Sequence, residues 1–157
     1  MTKLRNAFMV SAIGWAAALP LATYVASQPH LTGSRLGYAL AIATYAIGSL
    51  VCHQRPERSF YLFGVPMPVC ARCAGIYVGA ASVSVVMALV RARRLTAAEG
   101  FGWANTLLVA SATPIAITLL YEWTTGITPA NWIRAASGLS LGGAVAWIVC
   151  ALGSRDK

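Results

Sequence analysis

The chain has 157 residues, of which 58% are hydrophobic and 10% charged, and it carries a formal net charge of +8. Soluble domains carry about 25% charged residues, so this composition, with a mean hydropathy of +0.66, excludes an ordinary soluble surface and points to the bilayer as solvent. The basic residues sit in short connections between apolar runs, not in a stripe with interleaved aromatics, which fits anionic lipid headgroups and argues against a nucleic-acid partner.

The length suits one integral membrane domain over 1–157. Apolar runs predict an all-α polytopic transmembrane bundle of about five helices, with spans at 7–27, 36–52, 74–90, 103–120 and 132–152. The first span follows Lys3 and Arg5 and contains Trp15 and Pro20. Its rival reading is a secretory signal peptide ending near Val25, Ala26 and Ser27, but the apolar run outlasts a normal signal core. A polar turn with Pro29, His30 and Gly33 leads to the second span, which is short and carries Tyr38 and Tyr45 on one face, as helix packing would use them. The third span carries Gly75 and Gly79 and the fifth Gly138 and Gly142, spacings that let helices approach closely. Pro114 lies inside the fourth, and Trp103, Trp123 and Trp132 mark span ends. Cys150 sits in an apolar stretch and reads as a small hydrophobe. Strict alternation of five spans would put the N-terminus, the loop after Cys52 and the loop after Tyr121 on one side. The Pro29 turn, the loop with Arg91, Arg93 and Arg94, and the C-terminus would share the other. Basic residues divide almost evenly between the two, which leaves the direction of insertion open.

Between the second and third spans runs CHQRPERSFYLFGVPMPVCARCAGIYVG, from Cys52 to Gly79, with three of the four cysteines and one of the two histidines. Gly64 divides two short segments, 59–63 and 65–69, that suit a small β-hairpin or tight loop over the helix ends, with Pro66 and Pro68 limiting regular pairing. A loop this short returns to the bundle and gathers Cys52, His53, Cys70 and Cys73. Three readings are open. Three thiolates and an imidazole suit a tetrahedral zinc ion, with one of the adjacent Cys52 and His53 standing behind the ligand shell. The C-x-x-C at a helix N-terminus, beside Arg72, also suits thiol–disulfide exchange. A disulfide or buried thiols that only fix the loop is the third.

Arg55, Glu57 and Arg58 follow directly, either as a self-paired solvated turn or as an anion site with arginine as bidentate donor. Gln54 is placed to orient His53 or a bound anion. A second polar patch holds Glu122 at the end of the fourth span and Asn131 and Arg134 at the start of the fifth. A structural Glu122–Arg134 pair explains it most simply. If it shares a pocket with the cysteine loop, Glu122 becomes a candidate general base or further ligand, with Thr118 and Asn105 as weaker lining residues.

The first motif, C-H-Q-x-P-E-R-S-F followed by P-V-C-A-R-C-x-G-I-Y-x-G, resembles that of a family of small prokaryotic multi-pass membrane proteins of unknown function. It runs here from Cys52 through Phe60 and from Pro68 through Gly79. The later part is similar to a second motif of the same family, through Pro114, Asn131, Arg134 and Gly138. Thr118 and Leu119 stand where that motif often has Asp-Gly, and Glu122 where it often has Gln. The resemblance implies a multi-pass prokaryotic cell-membrane protein and strengthens the choice of site without naming a reaction.

The expectation is therefore a membrane protein with a zinc site at Cys52, His53, Cys70 and Cys73, near the bilayer surface. Arg55, Arg58, Arg134 and Gln54 would hold an anionic lipid or isoprenoid headgroup. In an enzyme, Glu122 or Glu57 would serve as base and the metal as Lewis acid. The alternatives are a membrane thiol–disulfide oxidoreductase and a small transporter or scaffold whose loop is a structural clasp.

Overall fold

The computed structural model describes residues 2–28, 35–90 and 102–152. His30, the Pro29 turn, the arginines at 91, 93 and 94 and the basic C-terminus lie outside the described residues. Among the described residues five α-helices form: α1 (Thr2–Ser27), α2 (Arg35–Val51), α3 (Ala71–Leu89), α4 (Gly102–Thr125) and α5 (Asn131–Leu152). A 3₁₀ turn (Pro56–Arg58) and an antiparallel hairpin of β1 (Ser59–Leu62) and β2 (Val65–Cys70) lie between α2 and α3. The architecture is thus an all-α bundle with one small hairpin. Four of the helices are long and apolar enough to cross a membrane. The exception is α2, whose 17 residues span about 26 Å at 1.5 Å per residue, short of the ~30 Å hydrocarbon core.

The hairpin follows from its turn chemistry. Phe63 and Gly64 both have positive φ, 56° and 78°, which gives the two-residue turn whose twist suits adjacent strands. Pairing joins Ser59 to Cys70, Tyr61 to Pro66 and Leu62 to Val65, with an irregularity between Ser59 and Tyr61. Pro66 and Pro68 have no N–H for the ladder, and their carbonyls bond elsewhere. The Tyr45 hydroxyl donates to Pro66 O at 2.7 Å, and Gln54 Nε2 donates to Pro68 O at 2.6 Å.

The paired small residues set the packing of α3 on α5. A Cβ on Gly75 would strike the Ala135 carbonyl, one on Gly79 the Leu139 carbonyl, and one on Gly142 the Ile76 carbonyl. These contacts advance together along both helices, so α3 and α5 run parallel with their backbones touching. In α1, Trp15 meets Tyr77 edge-on at 6.0 Å, and Leu19 packs in one cluster with Val69 and Ala74. Arg5 lies within electrostatic reach of Cys150 near the end of α5. Helix α1 is therefore antiparallel to α3 and α5.

Along β2 the contacts to α2 advance in step: Pro66 with Tyr45, Pro68 with Gly48, Cys70 with Cys52. So α2, β2 and α3 all run in one sense, because the two reversals of the hairpin restore the direction that α2 had. The N-terminus of α1 consequently lies at the bundle end away from the cysteines, together with the C-termini of α3 and α5. This departs from strict alternation, which puts the N-terminus beside the cysteine loop. The other half of that expectation holds: the hairpin and the α4–α5 connection meet, with Asn131 Nδ2 donating to Ser59 O at 2.9 Å.

Helix α4 also runs further than expected, to Thr125, where Gly126 (φ 69°) ends it and donates back to Glu122 O at 3.0 Å. Glu122 is therefore inside a helix, not at its end. Asn131, at the start of α5, uses its side chain to bridge to β1.

Candidate functional site

Cys52 follows α2, Cys70 is the N-cap of α3, and Cys73 lies one turn into α3. Their sulfurs all lie within 4.8 Å of one another, and all three are free and half-buried. The Cys70 backbone N–H points at Cys52 Sγ, 3.2 Å away. The side chain of Cys73 hydrogen-bonds the Cys70 sulfur and pulls its thiol down to about 5, against the opposing effect of burial. Backbone N–H groups of Cys73 and Arg72 and the Cys52 side chain add to the same effect.

This donor set fits a soft or borderline ion. Tetrahedral thiolates around zinc, with Zn–S near 2.3 Å, stand about 3.8 Å apart, so the three sulfurs need close by no more than about an ångström. His53 is exposed and lines the same cleft, but its ring nitrogens are not part of the three-sulfur group. A trithiolate would leave one position open toward the cleft.

The clasp that holds the loop rests on Gln54. Its backbone takes a positive φ of 43°, and its amide nitrogen donates to Tyr45 O at 2.7 Å and Pro68 O at 2.6 Å. Both amide hydrogens thus go to backbone carbonyls, which leaves Gln54 no side-chain donor for an anion. Gly48 makes this possible, since a Cβ there would strike both Pro68 O and Gln54 Nε2. The signal in the sequence is a lone glycine near the end of an apolar helix, followed six residues later by an amide.

Beside the sulfurs lies a charge cluster. Glu122 Oε1 pairs with Arg58 at 2.6 Å and accepts from Arg134 at 3.0 Å, and Arg72 stands 3.8 Å from Oε2. Arg72 also donates to Thr118 Oγ1 at 3.3 Å, so Thr118 and Glu122, one turn apart on α4, present to the same guanidinium. The expected Glu122–Arg134 pair is present, but it belongs to a four-residue cluster. Arg72 is a member that its place inside the C-x-x-C does not signal in the sequence; from the first turn of α3 it reaches Thr118 and Glu122 on α4.

Arg134 is only 3% exposed and Glu122 7%. Thr118 lies seven residues before the end of α4, about 10 Å below it along the axis. Arg72 and Arg134 stand in the first turns of helices long and apolar enough to cross a membrane, where charged residues are rare and mark functional sites by default. The cluster is also incompletely satisfied. Buried Nε atoms of Arg58, Arg72 and Arg134, and Glu122 Oε2, have no hydrogen-bond partner.

A cleft of about 620 Å³ joins the two groups and is lined by Cys52, Cys70 and Cys73 together with Arg55, Arg58, Arg72 and Arg134. Glu122 has one oxygen engaged by two guanidinium groups and the other buried without a hydrogen-bond partner, and it does not line the cleft. Glu57 is exposed and does not line the cleft. Asn105 lies in the first turn of α4, far from the site end.

Residues 52–148 match the model of a family described as predicted membrane protein, DUF2085. Over 40 residues the chain is 60% identical to an uncharacterized protein of Methanocaldococcus jannaschii, covering 26% of either chain. Over 30 residues it is 57% identical to an uncharacterized protein of Methanothermobacter thermautotrophicus, covering 19% of this chain and 27% of that one. The matched stretches span about a quarter of the length of these curated relatives. No solved structure matches the chain significantly.

Proposed function

The chain belongs to the DUF2085 family of predicted membrane proteins, and from its site we propose an integral membrane metalloprotein that binds zinc and acts on an anionic lipid headgroup. The observation that carries this reading is the convergence of Cys52, Cys70 and Cys73 sulfurs within 4.8 Å, beside a cleft lined by arginine. The three cysteines would hold the ion, and His53 is the nearest candidate for a fourth ligand. Bound there, zinc would supply Lewis-acid polarisation of an oxygen in the cleft. The protein's own groups do the rest. Arg58, Arg72 and Arg134 hold negative charge near the sulfurs, Glu122 keeps those arginines in place, and Gln54 fixes the loop that carries Cys52.

The reading extends to orientation. Lys3 and Arg5 lie in the first turn of α1, and in the sequence the arginines at 91, 93 and 94 follow α3 and Arg155 and Lys157 follow α5. Lys3 and Arg5 lie at the bundle end away from the site, and the other five follow in sequence the helices that end there. By the positive-inside rule that end is cytoplasmic, in the cell membrane of a prokaryote, and the cleft faces the opposite side.

Elemental analysis of the freshly purified protein, with Cys70→Ser alongside, tests the metal. The expected result is about one equivalent of zinc, lost in the variant; less than about 0.2 equivalents of any transition metal would sink the reading.

A second reading, a thiol–disulfide oxidoreductase, is favoured by the depressed Cys70 thiol and by Cys52 and Cys73 standing within exchange distance. Thiol trapping in intact cells separates the two. Cysteines that stay reduced under oxidative growth speak for the metal, and a Cys70 disulfide that comes and goes with growth conditions speaks for exchange.

A further inference from the structure

We propose that the cleft binds a phosphate-bearing amphiphile that enters sideways from the bilayer, its phosphate on Arg58, Arg72 and Arg134 and its chain leaving between α2 and α4. This deepens the headgroup reading given above, and it does not depend on which metal the thiolates hold.

The phosphate assignment rests on charge and on donors. Three guanidinium groups against the single Glu122 carboxylate leave two positive charges uncompensated. A fourth, Arg55, also lines the cleft and offsets the net negative charge that a zinc trithiolate would carry. A phosphate monoester brings nearly two negative charges at neutral pH and three acceptor oxygens. The donors to meet them are present, because each guanidinium carries five N–H groups and all three residues line the cleft, while their buried Nε–H groups find no partner within the protein. They come from three separate elements: the turn before β1, the start of α3, and the start of α5. A carboxylate is planar and is matched by one guanidinium fork; three guanidinium groups from different directions suit a tetrahedral oxyanion better.

The amphiphile assignment rests on the rim. Among the residues lining the cleft, Val51 at the end of α2 and Trp123 on α4 are apolar and widely exposed, at 55% and 78%. Helix α2 packs on α1 and the hairpin, and α4 packs on α5, so the described residues leave the two helix ends apart at the mouth. A free anion needs no apolar lip, whereas a lipid chain does. Arg72 and Arg134 stand at the starts of α3 and α5, two helices able to span a membrane, which is where a headgroup lies.

The test uses the full-length protein in a neutral maltoside detergent, titrated calorimetrically with dodecyl phosphate, inorganic phosphate and dodecanoate, with metal content read on the same samples. Dodecyl phosphate is expected to bind at least about tenfold more tightly than either of the others. Arg72→Gln should weaken both phosphate compounds by about tenfold or more, and Trp123→Ala should weaken dodecyl phosphate alone. Arg58→Gln, at a half-exposed position, repeats the arginine test if Arg72→Gln does not fold. Inorganic phosphate bound as tightly as dodecyl phosphate would overturn the lipid source. Dodecanoate bound as tightly would overturn the phosphate class. No binding by monodisperse, metal-loaded protein would overturn the proposal as a whole. Binding retained by metal-free protein would leave it standing and count against the metalloprotein reading instead.

Discussion

Arg58, in the turn before the hairpin, meets Glu122 of α4 at 2.6 Å, with Glu122 7% exposed and Arg58 36%. This contact ties a loop at the mouth of α2 to a helix more than sixty residues later in the chain. It brings the loop's charge onto a carboxylate that Arg134 already holds. Glu122 is thereby the hub on which three elements converge.

Removing that hub leaves three guanidinium groups facing one another. Glu122→Gln should cost about 3 kcal/mol or more, as for a buried ion pair broken from one side, and should be visible as a lowered unfolding midpoint in detergent. Arg58→Gln, at the exposed edge of the cluster, should cost only about 1 kcal/mol or less. Equal effects of the two would show that Glu122 is not the hub.

The contact of α3 with α5 makes its own prediction. Gly142→Ala pushes a methyl into the Ile76 backbone, which no side-chain rotation relieves, and should destabilise by about 1–3 kcal/mol. Gly14→Ala meets open space and should be neutral or slightly favourable to α1. Unfolding both variants in the same detergent checks the difference.

Gln54→Leu removes both side-chain hydrogen bonds by which Gln54 bridges α2 and the hairpin while keeping a side chain of similar length. Metal affinity should fall about 10–100-fold, as for other residues that orient ligands without touching the ion. Helical content by circular dichroism should be unchanged. Unchanged metal affinity would mean that the sulfurs converge without the clasp.

Much of this was legible in the sequence, and the rest was hidden for identifiable reasons. The hairpin showed itself through Gly64 between two short segments, and the meeting of Cys52 with Cys70 and Cys73 through the shortness of the loop between them. The glycine pairs at 75, 79, 138 and 142 marked the closest helix contact, although not that the two helices run parallel. Span counting treats every apolar run as a full crossing, and α2, with 17 residues, shows where that fails; its direction is set by a hairpin that reverses twice. Arg72 and Gln54 took roles that depend on partners 46 and 14 residues away, which residue type and local spacing do not encode. Glu122 was noticed for its charge, but two of its three arginines come from the distant cysteine loop.

The shared sense of α2 and α3 predicts a topology. In intact cells, an impermeant thiol reagent added outside should label Thr128→Cys, in the α4–α5 connection at the site end. It should label Leu95→Cys, after α3, only once the membrane is opened. Labelling in the reverse order would place the cleft in the cytoplasm.

The central claim is that Cys52, Cys70 and Cys73 form one metal centre. X-ray absorption at the metal edge of the purified protein tests it most directly. The account predicts a zinc edge with three sulfur neighbours at about 2.3 Å and one lighter neighbour at about 2.0–2.2 Å, the sulfur number dropping in Cys52→Ser. A protein free of metal, or a metal held by nitrogen and oxygen alone, would contradict it.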